Sequence, residues 1–318
     1  MAKLDSIIGF EYNSYEIRAV EMTKSGGGYN ITAFGSQALE SAVVEEGFVR
    51  DPERFSDAFL TLMREKNFSA EDITIGVNNE NLVMRYASFP KVPDDKLRNM
   101  IFLQAQEFMP IAVQEMEMDF LVAGESVNAD EQEMVDTVLV GARKTMLEQL
   151  INVFGAAKKN IYDIEPTALA LCRTASTVNP GKCYCLLNVS NGIINFMFIK
   201  GDKIQTVRSI AIPDKHFDAV QSIYKGTATD EDIQEAGEML VSELNGSLSF
   251  YSVQYPMDPV DVVYFIADVA NGGKVAAILK ESVSLPVETP SFYASIGGAV
   301  DVKPYTACIS MAIQALEG

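Results

Sequence analysis

Along residues 5 to 39, apolar and polar positions alternate in three runs, "SIIGFEY", "YEIRAVEM" and "YNITAFGSQAL". A period of two predicts half-buried strands. The polar break after the first run and "KSGGGYN" after the second predict tight turns, so the opening reads as a three-stranded meander. The period then becomes helical. Asp51 is placed to cap a helix with Pro52 in its first position, and Phe55, Ala58, Phe59, Leu62 and Met63 recur on one face. "DITIGV" follows as a buried strand. From about residue 183 the order returns as "CYCLLNV", a turn, "IINFMFIK", a turn, and "KIQTVRSIAI". Asp214 is placed to cap a following helix. A longer helix from 230 to 251 carries Ala236, Met239, Leu240, Leu244, Leu248 and Tyr251 on one stripe, then comes the strand "VDVVYFI", the turn "ADVANGGK" and another helix.

A different pattern separates the two copies. "LVMRYASFP" reads as a strand. Asp94 is placed to cap a helix bearing Leu97, Met100, Ile101, Phe108 and Met109, which Pro110 ends. In "EMEMDF", Glu115, Glu117 and Asp119 alternate with Met116, Met118 and Phe120, and "EMVDTVLVGA" and a helix over 144–157 complete the set. Strand, helix, strand, strand, helix is a small α+β insertion. Two repeated α/β halves imply a cleft between them, with polar turns at its walls. Glu11, Asn13 and Ser14 follow the first strand of one copy as Asn188, Ser190 and Asn191 follow that of the other. Turn amides of this kind can point at phosphates.

Composition narrows the ligands. With 318 residues, 48% of them hydrophobic, the chain can bury a large core in two or three domains. Its 44 acidic against 25 basic residues leave a formal charge of -19, which disfavours nucleic acid and anionic membrane as ligands. "MAKLDS" carries no targeting pattern, which predicts a cytoplasmic protein. Cys172, Cys183, Cys185 and Cys308 form no CxxC pair and read as reduced core residues. The single histidine, His216, reads as a solvated surface residue, and no metal site is expected. GxSxG, HExxH and GxxxxGK[ST] are absent. From Asn99 to Ala142 there is no Lys or Arg, while Glu107, Glu115, Glu117, Asp119, Glu125, Asp130, Glu131, Glu133 and Asp136 are acidic. Such a run is either a solvated surface or the seat of a basic peptide.

Four stretches resemble the PilM proteins of type IV pilus assembly, relatives of FtsA in the actin and Hsp70 superfamily. "GFEYNSYEIRAVEM" is similar to GLDIGSSSIKAVEL, "LQAQEFMPIAVQEMEMDF" to EAEQYIPFPLDEVNLDF, "VDTVLVGARK" to VDVLLVAARK, and "DIEPTALAL" to DVEPFALAR. The resemblance implies an α/β actin-like (ribonuclease H-like) two-lobed fold with an inserted α+β 1C (SHS2-like) subdomain. Residues 1–80 would form lobe 1 (1A), 81–157 the 1C insertion, 158–180 and 302–318 the return to lobe 1, and 181–301 lobe 2. It also implies a PilN-like inner-membrane protein whose cytoplasmic tail is bound, and hence a place at that membrane through a partner. A pilus assembly ATPase complex and further copies of the chain are additional implied partners.

The implied cofactor is ATP or ADP with magnesium, at Glu11, Asn13, Ser14, Arg18, Asn188, Ser190, Asn191, Gly192, Gly272 and Gly273. The chain departs from the family there. Glu11 and Asn13 replace Asp and Gly, Asn188 replaces an acidic residue and Ser190 a glycine, and "ADV" replaces GGG while Asn271, Gly272 and Gly273 follow later. Side chains at glycine positions obstruct phosphate, and a neutral amide cannot hold a metal's water shell by charge. A scaffold without ATP hydrolysis is therefore expected. Nucleotide held without turnover by turn amides, Ser14 and Arg18 is the alternative. Met84, Arg85, Tyr86, Phe108, Glu115 and Arg143 are the candidate partner-binding residues, with "LVMRYASF" as a sheet edge that an extended tail can join. Two other classes stay open, an ATPase or kinase relative and a membrane-anchored filament. The C-terminal "PYTACISMAIQALEG" lacks the basic residues of an amphipathic anchor and is expected to pack as a core helix of the first half.

Overall fold

The computed structural model describes residues 4–128, 130–178, 181–190, 192–266, 271–297 and 301–318. Strands β1 (Ser6–Tyr12), β2 (Glu16–Ser25) and β3 (Gly28–Ala38) form the antiparallel meander. Gly26 and Gly27 reverse the chain at positive φ, as a two-residue hairpin loop requires. A short pair, β4 (Val44–Glu45) and β5 (Phe48–Val49), leads to α1 (Pro52–Glu65). Asp51 caps this helix by accepting from the Arg54 amide at 3.1 Å. Its buried face, Phe55, Phe59, Leu62 and Met63, packs on Phe10 of β1 and on β3, and β6 (Asp72–Val77) lies parallel to β1.

The insertion comprises β7 (Leu82–Pro90), α2 (Asp94–Gln104), β8 (Met116–Val127) and β9 (Glu133–Arg143), with the strands ordered β7-β9-β8. One face of this sheet, with Val83, Ala87, Phe89, Met118 and Leu139, packs on Leu97 and Ile101 of α2. The other, with Leu82, Met84, Val138 and Ala142, faces the main body. Next, α3 (Lys144–Ala156) inserts Phe154 among Phe10, Phe55 and Phe59 of the first lobe. Then β10 (Asn160–Pro166) pairs parallel with β6, and α4 (Thr167–Val178) crosses to the second lobe.

That lobe repeats the plan with β11 (Cys183–Ser190), β12 (Ile193–Lys200), β13 (Lys203–Ala211), α5 (Asp214–Lys225), α6 (Asp230–Gln254), β14 (Val262–Ile266), α7 (Gly272–Ser282) and β15 (Val287–Glu288). The sheet orders match, β10-β6-β1-β2-β3 and β13-β12-β11-β14-β15. Each is a meander extended by two parallel strands beside its first strand. A short α8 (Ala294–Gly297) precedes α9 (Thr306–Glu317), whose Cys308, Ile309, Ala312 and Leu316 pack on Ile7, Val20 and Met22. The last helix therefore returns to the first half, as expected from its apolar composition.

Three local expectations change. Asp94 and Asp214 are not caps. Each is the first helical residue, and the caps are Pro93 and Pro213 without side-chain hydrogen bonds. Each proline is non-helical through its ψ, 141° at Pro93 and 138° at Pro213, and each aspartate falls in the first turn, facing the positive end of the helix dipole. The helix before Pro110 stops at Gln104 and tightens into a 3-10 turn over Ala105–Glu107, because a proline ring clashes with the carbonyl four residues earlier. His216 is partly covered, and its Nδ1 lies 2.8 Å from Glu235 Oε1, joining α5 to α6. The four cysteines are buried thiols, and burial pushes that of Cys172 up to about 12.

Candidate functional site

The first hairpin turn closes on itself. The Asn13 amide donates to the Glu16 carbonyl at 3.0 Å. Asn13 Oδ1 accepts from the amides of Tyr15 at 2.7 Å and Glu16 at 2.9 Å. In an anion-binding hairpin such amides face phosphate oxygens; here a neutral side-chain oxygen holds them. Arg18, opposite Glu11 in the strand register, lies 3.5 Å from the Glu11 carboxylate and 2.5 Å from that of Glu16, and donates to the Pro304 carbonyl at 3.1 Å. Two carboxylates of its own hairpin thus meet its charge, and Glu11 turns to a guanidinium rather than to a metal's water shell.

The second hairpin is tied to the first lobe by neutral amides. Asn78, just past β6, donates through Nδ2 to Asn188 Oδ1 at 2.8 Å. Asn195 Nδ2 donates to Asn78 Oδ1 at 2.8 Å, and Ser209 Oγ donates to Asn195 Oδ1 at 2.7 Å. All three asparagines are buried, so the chain of amides holds the lobes together without charge. Ser190 is half-buried beside it, and Gly192 takes a positive φ. Asn191 and the "ADV" at 267–269 lie outside the described residues. Gly272 and Gly273 open α7 after Asn271, and a Cβ on Gly273 would meet nothing within 4 Å.

Tyr224 of α5 divides the cleft. Its ring stacks on Tyr15 at 5.9 Å and its hydroxyl donates to the Val189 carbonyl at 2.6 Å, joining the two hairpins. Lys225 Nζ sits 5.7 Å from the centre of the Tyr15 ring. On the hairpin side remains a gap of about 30 Å³ bordered by Glu11, Asn13, Arg18, Asn188 and Ser190. That is room for a water molecule or two, not for a phosphate chain. On the other side the cleft is open, about 1440 Å³, lined by Ser14, Tyr15, Lys225, Gly272, Gly273 and Tyr305 among others. The residues of the hairpin side therefore do not fit a magnesium-bound triphosphate. Among the described residues, no three His, Cys, Asp or Glu side chains converge as metal ligands.

The partner candidates do not form one surface. Met84 is 2% exposed and turns into the core shared with Val138, Ile204 and Val207. Tyr86, on the same face, is pushed far above the ordinary phenol range by burial and by the neighbouring Tyr255 and Asp136. Arg85 points the opposite way along the strand and donates to the Met84 carbonyl at 2.9 Å. Phe108 meets Phe89 edge-on at 5.3 Å, and Arg143 pairs with Glu115 at 3.2 Å. The acidic run is also less bare than its sequence implies. Lys91 meets Glu125 and Glu133, Arg98 meets Asp119, and Asp136, 7% exposed, accepts from Ser88 and Ser126. β7 and β8 are the two edges of the sheet, and β13 packs against both. Across from β8, Asp163 lies on β10, the edge of the first-lobe sheet. Burial pushes its carboxyl up, its Ile164 amide contact and Arg173 pull it down, and the Asp119 charge on β8 adds to the net rise.

The family described as type IV pilus assembly protein PilM matches residues 9–210, well over half of the chain. The chain belongs to the PilM family. Among solved structures, a chain of a PilM-PilN type IV pilus biogenesis complex superposes with a TM-score of 0.80 at 18% identity, covering 100% of both chains. A Bacteroides thetaiotaomicron protein with an actin-like ATPase fold and unknown function gives a TM-score of 0.51 at 6% identity, covering 96% of each chain. The ethanolamine utilization protein EutJ from Carboxydothermus hydrogenoformans gives 0.51 at 10%, covering 100% of this chain and 91% of that one. These likenesses are of fold, and that fold is actin-like.

In this PilM-family chain, sequence reading misses Asn78, Asn195 and Tyr224, which join the lobes. Asn78 belongs to the asparagine-rich "VNNEN" directly after a buried strand, and that clustering is the available signal. Asn195 interrupts the apolar run "IINFMFIK" in the same way. Tyr224 carries no local mark.

Proposed function

We propose that this PilM-family chain is an actin-like scaffold of the type IV pilus machinery that binds the cytoplasmic tail of a PilN-like inner-membrane protein and does not hydrolyse ATP. One observation carries the second part: Asn13 Oδ1 holds the Tyr15 and Glu16 amides that a phosphate would need. Support for the first comes from a chain of a PilM-PilN type IV pilus biogenesis complex, which this chain matches in fold from end to end. Tails next to a membrane span on the cytoplasmic side are enriched in Lys and Arg. The matching acidic seat is the edge strand β8, where the exposed Glu117 and Asp119 lie on the body-facing side of the sheet, together with Asp163 on β10. No described helix is long and apolar enough to cross a membrane, and attachment through the partner needs none.

Titration calorimetry with a PilN tail peptide is expected to show binding that weakens with salt and falls about tenfold or more in Glu117→Lys/Asp163→Lys. Affinity indifferent to both changes overturns the acidic seat. In a thermal-shift scan, Mg·ATP is expected to leave the melting temperature unchanged, whereas a ligand at 100 times its dissociation constant would stabilise by about 2.7 kcal/mol. A shift accompanied by phosphate release overturns the non-hydrolysing scaffold. The open cleft beside Gly272 and Gly273 favours a second reading, nucleotide held without turnover. A shift without phosphate release would select it.

A further inference from the structure

The cation that meets Asp119 comes from the opposite side of its sheet. Strand parity places Asp119 of β8 on the body-facing side, beside Val140, whereas α2 packs on the other side, against Met118 and Leu139. Arg98 of α2 nevertheless reaches Asp119, with Nη1 at 3.0 Å from Oδ1. Because β8 is an edge of the three-stranded sheet, the short way from one side to the other runs around its free backbone edge. Arg98 therefore lies across that edge.

Two further contacts show how the cation can leave. The Arg98 guanidinium carbon is 4.8 Å from the centre of the Phe102 ring, one turn on along α2, and Phe102 meets Phe120 of β8 edge-on at 6.4 Å. That ring is a second attachment, and it does not depend on Asp119. The side chains of Arg98 and Asp119 are 60% and 73% exposed, and exposed ion pairs are weak enough to exchange partners. Asp119 also stands close enough to Asp163 of β10 for their charges to interact, which puts it within the acidic seat. A charged side chain laid on an edge strand is a common guard against unwanted pairing.

The geometry points to Arg98 as an internal competitor for the tail: it holds Asp119 and covers the free edge of β8 until a Lys or Arg of the tail takes Asp119, and the guanidinium then rests on the Phe102 ring. This regulation rests on the tail-binding reading given above and concerns the same seat. It also selects. A neutral segment that paired with β8 would have to break the Arg98 contact with nothing to replace it, whereas a basic tail replaces one cation with another.

Titration calorimetry with the PilN tail peptide at about 0.15 M salt tests it on the wild type, Arg98→Ala, Arg98→Lys and Lys91→Ala. Arg98→Ala is expected to bind about three- to fivefold tighter, the worth of an exposed ion pair, with its melting curve nearly unchanged. Arg98→Lys keeps the charge and is expected to stay within about twofold of the wild type. Lys91 pairs with Glu125, roughly 20 Å farther along β8 at about 3.3 Å per residue and beyond the screening length. Lys91→Ala removes the same charge and is expected to leave the affinity unchanged. If the wild type binds with salt dependence while Arg98→Ala binds equally or more weakly, the competitor is overturned and the acidic seat stands. Equal gains from Arg98→Ala and Lys91→Ala also overturn it, since net charge alone would account for both. No binding by any of the four chains removes the tail reading and the competitor with it.

Discussion

A Gly9→Ala chain is expected to lose about 3 kcal/mol or more of stability and to release α9 from the first-lobe sheet. Gly9 lies in the middle of β1, where α9 presses its backbone against the strand. An added Cβ would lie 1.9 Å from the Cys308 carbonyl oxygen and 2.7 Å from its carbonyl carbon. Backbone atoms cannot rotate away as a side-chain tip can, so the helix must shift by an ångström or more as a body. The shift opens the packing of Cys308, Ile309 and Ala312 on Ile7, Val20 and Met22. It also moves the turn before α9, where the Pro304 carbonyl accepts from Arg18, so the wall of the cleft is disturbed together with the core. Urea melts followed by circular dichroism give the measurement. Gly155→Ala is the control, because a Cβ there meets nothing within 4 Å and the change is expected to be neutral or slightly stabilising. Equal midpoints for the two variants would refute the steric account.

Glu21→Gln is expected to cost about 2 to 4 kcal/mol at neutral pH, and the cost is expected to shrink on acidification. Glu21 is 3% exposed, on the side of β2 facing the segment after α1. Its carboxylate accepts from the Ser69 amide at 2.5 Å, the Ala70 amide at 2.8 Å, and the Ser69 and Thr32 hydroxyls at 2.9 Å each. Burial by itself pushes the carboxyl up; the hydrogen bonds outweigh it and hold the group below the ordinary carboxylate value of 4.5. A depressed pKa in the fold means that the stabilisation is complete above that ordinary value and is lost as pH falls through the folded one. A glutamine can keep its oxygen on the two amides, which both go to Oε2, but it loses the charge that strengthens those bonds, and its NH2 faces the Ser69 and Thr32 hydroxyls, which must turn from donors into acceptors. Melting both chains from pH 7 down to pH 3 is expected to bring their curves together. A gap that stays constant over that range would rule out the ionised carboxylate as the source.

Much of the architecture was legible because it is written in local periods. The two meanders follow from alternation with a period of two, and α1 follows from a stripe at helical spacing with Asp51 ahead of Pro52. The alterations at Asn13 and Asn188 were visible too, as departures from a motif. What each side chain does was not. Asn13 satisfies neighbouring amides, whereas Asn188 needs Asn78, 110 residues away, and through it Asn195. The acidic run misled for a related reason. Counted along the chain it has no cation, yet Lys91 and Arg98 precede it and Arg143 follows it; antiparallel pairing brings Lys91 and Arg143 alongside, and α2 carries Arg98 to Asp119. Met84 looked available because a strand's two faces differ only by parity, and which parity faces the body depends on what the sheet docks against.

Taken alone, the order of residues determined the elements, their repetition, the inserted module and the loss of motif glycines and carboxylates, since each depends on residues within a few positions of one another. Only the tertiary structure decided that Tyr224 stands between the hairpins and that Arg18 is neutralised by Glu11 and Glu16. Contacts between elements distant in sequence are set by how the sheets and helices dock, and docking is settled by the packing of whole faces rather than by any short stretch of chain.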